Sequence, residues 1–340
     1  MDAIDHLRAT VEEHYGFKIK WWKVLRYRKT RPSLVVKVKT EKGEYYVLKC
    51  LYVTPGRQHF IVLLEQMLKA KGVPLARPLP TLKGTLYMKH KLIPYVLYEW
   101  IEGKHGQLRN KGDLRWIVRI MAKLHHASRH LVYSAGVTYV AQSDLKHNYE
   151  QRLKFMKSWY NNHKHSAEPN HVLICSHILF FCEIADLAVN ALRSSPYFTH
   201  MDTVTRTSLV HGDLHQGNIL IRRKKGVLID FEDIRYDLPS KDLLQIFSIY
   251  SREHKFSIKA FRSMMKTYER HNPLAPDMRA FVYIDLLFPH IFERILRRKK
   301  YINRNFKLLK HEIKQERKKA NYLYHRYFKH SEIVGRDFID

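Results

Sequence analysis

Three oxygen-bearing side chains with the chemistry of phosphoryl transfer lie within a short part of the chain. Asp213 belongs to the run His211–Leu214, Asn218 follows Asp213 by five positions, and Asp230 follows Asn218 by twelve. Phosphoryl transfer requires a carboxylate that orients the attacking hydroxyl, and oxygen ligands that hold Mg²⁺ against the nucleotide phosphates. The pattern predicts that Asp213 is the catalytic carboxylate and that Asn218 and Asp230 are ligands of Mg²⁺.

A plain β-hairpin would also explain the apolar residues of this segment. The runs Ile219–Ile221 and Val227–Ile229 are short and apolar, and a polar turn separates them. A hairpin alone gives no reason for Asp213, Asn218 and Asp230 to flank the two strands at this spacing. The protein-kinase pattern H-R-D-L-x-x-x-N followed by D-F-G has the same internal spacing, which favours a kinase-type site.

The motif carries Gly212 where protein kinases carry arginine, and it resembles the aminoglycoside and choline phosphotransferase group of kinase-like proteins. Four more segments are similar to that superfamily, and together they extend the resemblance over most of the chain. They are Tyr46–Lys49 (the strand with the phosphate-pairing lysine), Tyr98–Gly103 (the hinge), Met121–Ser128 (the Leu-His helix) and Asp237–Leu243 (the segment after the metal-binding aspartate).

A narrower resemblance involves two segments outside the catalytic motif. Ala191–Tyr197, and a tail that contains Phe288-Pro289 and a long basic helix, are similar to the spore coat protein S family of bacterial endospores. Members of that family are kinase-like proteins of the same superfamily. The resemblance implies that the partners are other spore coat proteins, and that the protein reaches the spore coat after synthesis in the cytoplasm.

The superfamily resemblance also implies roles for residues outside the motif. Lys49 would pair with the α- and β-phosphates of ATP, and Glu99 and Ile101 would offer backbone groups of the hinge to the adenine edge. Glu65 could pair with Lys49, although a helical glutamate facing water fits that position equally well. Asp242 would brace the catalytic loop. The implied cofactors are ATP and Mg²⁺.

Two departures from the superfamily pattern weaken the case for an active kinase. The segment Val24–Val36, where a phosphate-covering loop is expected, contains no glycine and several basic residues. Glycine lets backbone N–H groups approach phosphates. Without it two alternatives remain: the side-chain cations hold the phosphates instead, or the loop does not close over nucleotide. The second departure is Glu232, which stands where the D-F-G motif has glycine.

The predicted fold class is α+β. The resemblance and the hydrophobic periodicity favour a bilobal protein-kinase-like fold, in which a small N-lobe has an antiparallel five-stranded sheet plus one helix and a large C-lobe is mainly helical. We predict an N-terminal lobe over residues 1–102 and a helical lobe with the catalytic loop over residues 103–340. One hairpin of the sheet is expected to turn at Ile93-Pro94, and one helix is expected to cover residues 276–297.

The composition is ordinary for a globular protein except in its charge. Subtracting 32 acidic residues from 61 Lys and Arg residues leaves a net charge of +29. Such a surface attracts polyanions, whether nucleotide phosphates, nucleic acid, anionic membrane or acidic coat proteins, although a solvated basic face that aids solubility is an alternative. Nucleic acid is an unlikely partner, because the chain has no recognised motif for base readout.

Other classes of protein find little support in the sequence. The three cysteines (Cys50, Cys175 and Cys182) form no C-x-x-C pair, so buried thiols in a reducing compartment are favoured over a zinc site. Residues 1–16 lack the apolar core of a secretory signal. The most apolar stretch, Ile178–Leu192, is interrupted by charged residues and predicts a buried helix, so we expect no transmembrane segment.

These observations leave two functions open. The first is an ATP- and Mg²⁺-dependent phosphotransferase that acts on a hydroxyl of a small molecule, associated with the spore coat. The alternative is a catalytically weak or silent protein that keeps the kinase fold as a scaffold of the coat. The sequence does not identify the phosphate acceptor.

Overall fold

A computed structural model of the chain describes residues 2–28, 33–50, 53–129, 131, 145–195, 209–222 and 225–329. Within this part, the residues up to Gln107 and those from Gln216 to Ile234 form one compact unit, and the rest form a second. The predicted boundary after residue 102 stays a prediction. Residues 29–32 of the glycine-free segment, and Pro196 and Tyr197 of the coat-like segment, lie outside the described residues.

The elements of both units are numbered in chain order. The strands are β1 (Ile19–Arg28), β2 (Ser33–Thr40), β3 (Tyr45–Cys50), β4 (Met88–His90), β5 (Ile93–Glu99), β6 (Lys104–His105), β7 (Leu209–Val210), β8 (Ile219–Arg222), β9 (Lys225–Leu228) and β10 (Arg235–Tyr236). The helices are α1 (Asp2–Tyr15), α2 (Pro55–Ala70), α3 (Lys111–Ala127), α4 (Leu145–His163), α5 (Pro169–Arg193), α6 (Ser240–Glu253), α7 (Ile258–His271), α8 (Pro276–Leu287), α9 (His290–Arg297) and α10 (Phe306–Leu323).

The first unit is built on a five-stranded antiparallel sheet with the order β1-β2-β3-β5-β4. Alternate residues of β2 are buried, because successive side chains of a strand point to opposite faces. Leu7 and Val11 of α1 pack with Val36 and Val38 in one apolar cluster. The predicted α+β class and the five-stranded antiparallel sheet are confirmed.

The hairpin of β4 and β5 turns at a different place from the predicted one. Lys91 and Leu92 have positive φ values of 50° and 66°, and they connect the two strands as a two-residue turn. Ile93 and Pro94 lie inside β5, where Pro94 pairs with Lys89. The prediction of a turn at Ile93-Pro94 was therefore wrong, because residues of no special turn propensity adopt the left-handed conformation here.

A second, three-stranded sheet in the first unit carries the motif hairpin, with the order β6-β8-β9. Leu228 of β9 is fixed by two backbone hydrogen bonds, since its N–H donates to Pro74 O and its carbonyl accepts from Ala76 N–H. Gly103 lies against β8, where an added Cβ would come within 3.0 Å of the Ile221 carbonyl oxygen. Glycine is therefore required for the chain to enter β6 at this distance from β8.

The second unit is mainly helical, as predicted. The segment predicted as one helix over residues 276–297 is two helices, α8 and α9, which are separated at Phe288-Pro289. Proline has no backbone N–H and clashes with the preceding turn, so it ends α8 and separates it from α9. Cys50 and Cys182 are buried, and all three cysteines are free thiols.

Helix α5 is the most apolar helix among the described residues. Its length and composition would allow it to cross a membrane, and half of its most apolar window is buried inside the protein. Ile174, Ile178, Phe181 and Ala185 are fully buried on the face that packs within the helical unit. Core helices of water-soluble proteins pass the same test, so this single helix is weak support for a membrane span.

Candidate active site

An open cavity of about 390 Å³ lies within the first unit. Its walls are mostly apolar. The polar and charged side chains that line it include Lys49, Asn218, Asp230 and Glu232. The apolar lining consists mainly of Val35, Val47, Ala76, Tyr98, Ile101, Leu220 and Ile229. An apolar slot with a few convergent charged groups has the size and character of a small-molecule site.

The charged part of this cavity is organised around the ammonium group of Lys49. Lys49 Nζ lies 2.5 Å from Asp230 Oδ1 and 2.6 Å from Glu232 Oε1, and its side chain is only 11% exposed. Arg26, from the glycine-free β1, approaches the same Glu232 oxygen at 3.8 Å. Two carboxylates are held close together because the cations offset their mutual repulsion.

Backbone geometry places Asp230 directly after the motif hairpin. Asp230 has a positive φ of 69°, which is uncommon for a residue with a side chain. The preceding Ile229 N–H donates to the Asn218 carbonyl at 3.0 Å, so the two candidate metal ligands are joined through the backbone of the hairpin. A strained conformation held by surrounding structure is frequent at functional sites.

Glu65 takes a partner that the sequence did not indicate. It is 2% exposed on α2, and it accepts a hydrogen bond from the Tyr98 hydroxyl at 2.9 Å. Lys49 and Glu65 form no ion pair within 4.0 Å in the described part of the chain, because the ammonium group is directed to Asp230 and Glu232. Burial raises the pKa of Glu65 to about 8, against the smaller effects of Tyr98 and Lys49.

The predicted hinge residues have backbone groups directed away from β3. Trp100 N–H donates to Tyr45 O of β3 at 3.2 Å. The backbone polar groups of successive residues in an antiparallel pair alternate in direction, so those of Glu99 and Ile101 are directed away from β3. Glu99 N–H donates to Arg77 O at 3.0 Å. No described residue accepts a hydrogen bond from Ile101 N–H, and Glu99 and Ile101 both line the cavity.

The loop that carries Asp213 belongs to the second unit, where Asp242 holds its backbone. Asp242 accepts hydrogen bonds from His211 N–H at 2.8 Å and Gly212 N–H at 3.0 Å, and His125 Nε2 lies 3.0 Å from the same carboxylate. Burial opposes the ionisation of Asp242, but the hydrogen bonds and charges of His125 and His211 outweigh it and lower its pKa. The expectation that Asp242 braces the catalytic loop fits this geometry.

Asp213 itself is about half exposed, with a side-chain exposure of 47%. Gln245 Nε2 donates to its Oδ1 at 2.8 Å, and His215 Nε2 lies 3.5 Å from Oδ2. Sequence reasoning did not single out Gln245. A usable signal was its position three residues after Asp242, which places both side chains on neighbouring faces of α6 and toward the same loop.

The donor atoms around the cavity suit a hard divalent cation. Asn218 offers an amide oxygen, and Asp230 and Glu232 offer carboxylate oxygens. Mg²⁺ prefers such ligands and is commonly bound by one or two carboxylates together with substrate phosphates. Among the described residues there is no cluster of three His, Cys, Asp or Glu side chains that would form a complete metal cage.

Comparisons with known proteins identify the family of the chain. The model of the phosphotransferase enzyme family matches residues 27–274. The chain belongs to this family. Spore coat protein S of Bacillus subtilis is 24% identical over 273 residues, which cover 75% of this chain and 74% of the relative, and this confirms the resemblance predicted from the sequence.

Solved structures of an aminoglycoside phosphotransferase and an amicoumacin kinase share the fold at low identity. An aminoglycoside phosphotransferase from Alicyclobacillus acidocaldarius superposes with a TM-score of 0.76 at 15% identity, covering 93% of this chain and 94% of that one. An amicoumacin kinase in complex with AMP-PNP and Ca²⁺ gives a TM-score of 0.56 at 15% identity, with coverages of 91% and 97%. These similarities confirm the predicted kinase-like fold.

The raised pKa of Glu65 predicts a pH-dependent stability. The folded state keeps its proton up to a pKa of about 8, whereas the unfolded carboxyl loses it near 4.5, so unfolding becomes easier as pH rises between these values. Glu65→Gln should remove this loss. We expect the variant to gain a few kcal/mol relative to the parent between pH 5 and pH 8 in urea unfolding. A constant difference across that range would contradict the buried, protonated Glu65.

The position of Glu232 predicts competition with phosphates for the two cations. Glu232→Gln should tighten binding of metal-free ATP, measured in EDTA by calorimetry, by about three- to tenfold, because Lys49 and Arg26 lose a competing anion. Glu102→Gln, which changes the same charge on a side chain that is 72% exposed, is the matched control. Equal affinity in the parent and Glu232→Gln would refute the competition.

Proposed function

We propose that this protein is an ATP- and Mg²⁺-dependent phosphotransferase that acts on a hydroxyl of a small molecule. The observation that carries the proposal is Lys49, ion-paired with Asp230 and Glu232 in a cavity whose walls are mostly apolar. Apolar walls suit a purine base, and a desolvated lysine suits the phosphates that follow it. Family membership supports the reaction class.

In this proposal the hinge binds the adenine edge and Lys49 pairs with the α- and β-phosphates. The Ile101 N–H and the Glu99 carbonyl supply a donor and an acceptor on the side away from β3. Arg26 adds a second cation from the segment that lacks glycine, which is the role that the sequence suggested for basic side chains there. Side-chain cations then replace part of the backbone cradle of other phosphate loops.

Asp213 orients the acceptor hydroxyl and takes up its proton. The acceptor oxygen forms a bond to the γ-phosphorus, the bond from that phosphorus to the bridging oxygen breaks, and ADP leaves while the proton passes from Asp213 to solvent. Gln245 fixes the carboxylate by its hydrogen bond at 2.8 Å. Asn218 and Asp230 would hold Mg²⁺, which neutralises phosphate charge when it is bound.

A scaffold of the spore coat is the second candidate function. Its support is the similarity to spore coat protein S, the net charge of +29 and the pairing of Lys49 and Arg26 with Glu232, which occupies the cations that phosphates would need. In this candidate function the protein lies in the spore coat, and other coat proteins are its partners. The two functions are compatible, because a coat protein can also transfer phosphate.

Nucleotide binding separates the two candidates. We expect ATP with Mg²⁺ to raise the melting temperature of the full chain, since ligand at 100 times its Kd stabilises a protein by about 2.7 kcal/mol. Lys49→Ala should abolish the shift, and the matched control Lys89→Ala, an exposed lysine of the same sheet, should keep it. The absence of any shift at millimolar nucleotide would favour the scaffold.

Replacement of the carboxylate tests its assigned role. Asp213→Asn should lower any phosphoryl transfer by about 10²–10⁴-fold while the ATP-induced melting shift remains, because a positioned base acts on the chemical step and not on nucleotide binding. Asp186→Asn, an exposed residue of α5, is the control. Unchanged turnover in Asp213→Asn, measured as ADP release, would remove Asp213 from the mechanism.

A further inference from the structure

Four basic side chains surround a small pocket in the second unit. Arg252 of α6, Arg294 of α9, and Lys300 and Arg304 from the segment before α10 line it. The pocket has a volume of about 30 Å³, and a single water needs roughly 10–15 Å³. Its space is therefore suited to a group the size of a carboxylate or a terminal phosphate.

The pocket has a floor inside the protein and a rim at its surface. The remaining lining residues are Ser248, Ile291, Ile295 and Glu312. Ser248 and Glu312 are buried, whereas Arg252 and Lys300 are exposed. A ligand group can thus enter from solvent and contact fixed polar atoms beneath.

The positive charge of the pocket is only partly balanced by protein carboxylates. Glu312 is the one carboxylate in the lining, and its Oε1 already accepts from Arg304 at 2.5 Å. Arg294 has a lowered pKa, caused by burial first and then by neighbouring arginines, against the pull of Glu316. Lys300 likewise has a lowered pKa, from burial and then from Arg294 and the other pocket cations.

Burial is the largest cause of these lowered pKa values, and repulsion from the neighbouring cations adds to it. An anion in the pocket would relieve this repulsion and would form charge-assisted hydrogen bonds with the guanidinium groups. Without a ligand, clustering of lysine and arginine side chains does not stabilise the protein, because each charge is more stable when it is surrounded by solvent. The cluster therefore has the electrostatics of an anion site.

Helix α6 connects this pocket with Asp213. Gln245, which donates to the Asp213 carboxylate, lies seven residues before Arg252, and two helical turns place them on the same face. Ser248 lies between them on a neighbouring position of that face. At 1.5 Å per residue the separation along α6 is about 10 Å, which is within the reach of one small molecule.

We propose that the basic pocket of Arg252, Arg294, Lys300 and Arg304 binds an oxyanion of the acceptor molecule, whose hydroxyl is oriented by Asp213. The acceptor class is then a small hydroxylated molecule with a phosphate or carboxylate group on the order of 10 Å from the reacting hydroxyl. Polycationic acceptors such as aminoglycosides are disfavoured, because the pocket would repel them. This assignment of the acceptor rests on the proposed phosphotransferase function.

Phosphate binding tests the pocket without any need for catalysis. Melting temperatures are compared in inorganic phosphate and in chloride at equal ionic strength, in the full chain carrying Lys49→Ala so that the nucleotide cavity contributes less. We expect phosphate to raise the melting temperature, and the added pair Arg294→Gln/Lys300→Gln to abolish the rise. The phosphate effect is the difference between the melting temperatures in phosphate and in chloride within each variant, so a change in the stability of the pair itself does not enter it.

The matched control is Lys307→Gln/Lys314→Gln, which removes the same charge from exposed positions of α10. It should retain the phosphate effect. An equal phosphate effect in both double variants, or no effect in their parent, would overturn the anion site.

An acceptor panel tests the assignment to substrate in the protein with intact Lys49. ADP release is measured with glycerol and glycerol 3-phosphate, with glucose and glucose 6-phosphate, and with kanamycin. We expect kcat/KM to be about tenfold or more higher for the phosphorylated member of a pair, and Arg294→Gln/Lys300→Gln to raise its KM about tenfold with kcat little changed. Preference for the neutral or cationic acceptors would overturn the inference.

The two tests separate this inference from the proposed function. If phosphate binding depends on Arg294 and Lys300 but the protein binds no nucleotide, the phosphotransferase proposal is rejected. The assignment of the acceptor is then rejected with it. Nucleotide binding and turnover in a protein without a phosphate effect would leave the phosphotransferase standing and reject the anionic acceptor.

Discussion

The ammonium group of Lys49 forms the interactions on which the charged end of the cavity depends. It holds the carboxylates of Asp230 and Glu232 at 2.5 and 2.6 Å, in a place where two acidic groups alone would repel each other. Asp230 has a left-handed backbone conformation, with a φ of 69°, at the end of the motif hairpin. If the phosphates of a nucleotide took the place of the Glu232 carboxylate, the charge of Lys49 would stay balanced and Asp230 would stay beside Lys49. The ion pair is therefore an arrangement that an incoming polyphosphate can take over.

A second anchor, Asp242, has the corresponding role in the helical unit. It accepts the backbone N–H groups of His211 and Gly212, so the loop before Asp213 has its polar groups satisfied inside the protein. His125, bonded in turn to the Tyr268 hydroxyl at 2.7 Å, keeps that carboxylate in place. The exposed Asp213 thus extends from a rigid support, which is the arrangement expected of a group that must meet a substrate.

Sequence reasoning recovered the parts of the fold that follow from hydrophobic periodicity and from the resemblance to kinase-like proteins. Alternating and helical apolar patterns located the strands and helices, and the resemblance implied the five-stranded antiparallel sheet and the helical unit. The β4–β5 turn was missed because Lys91 and Leu92 have no local preference for positive φ, and only pairing with β3 fixes the register. The partner of Glu65 was missed because contact with Tyr98 joins residues distant in sequence. The basic pocket was not visible either, since only packing brings Arg252 and Arg294 together.

The central claim is that Lys49 and its two carboxylates form the phosphate end of a nucleotide site. A crystal structure with AMP-PNP and Mg²⁺ at saturating concentration tests this most directly. The account predicts the base between the apolar walls, Lys49 Nζ within hydrogen-bond distance (about 3 Å) of a phosphate oxygen, and the Glu232 carboxylate displaced from Lys49. An empty cavity with the Lys49–Glu232 pair intact, or nucleotide bound elsewhere on the protein, would contradict it.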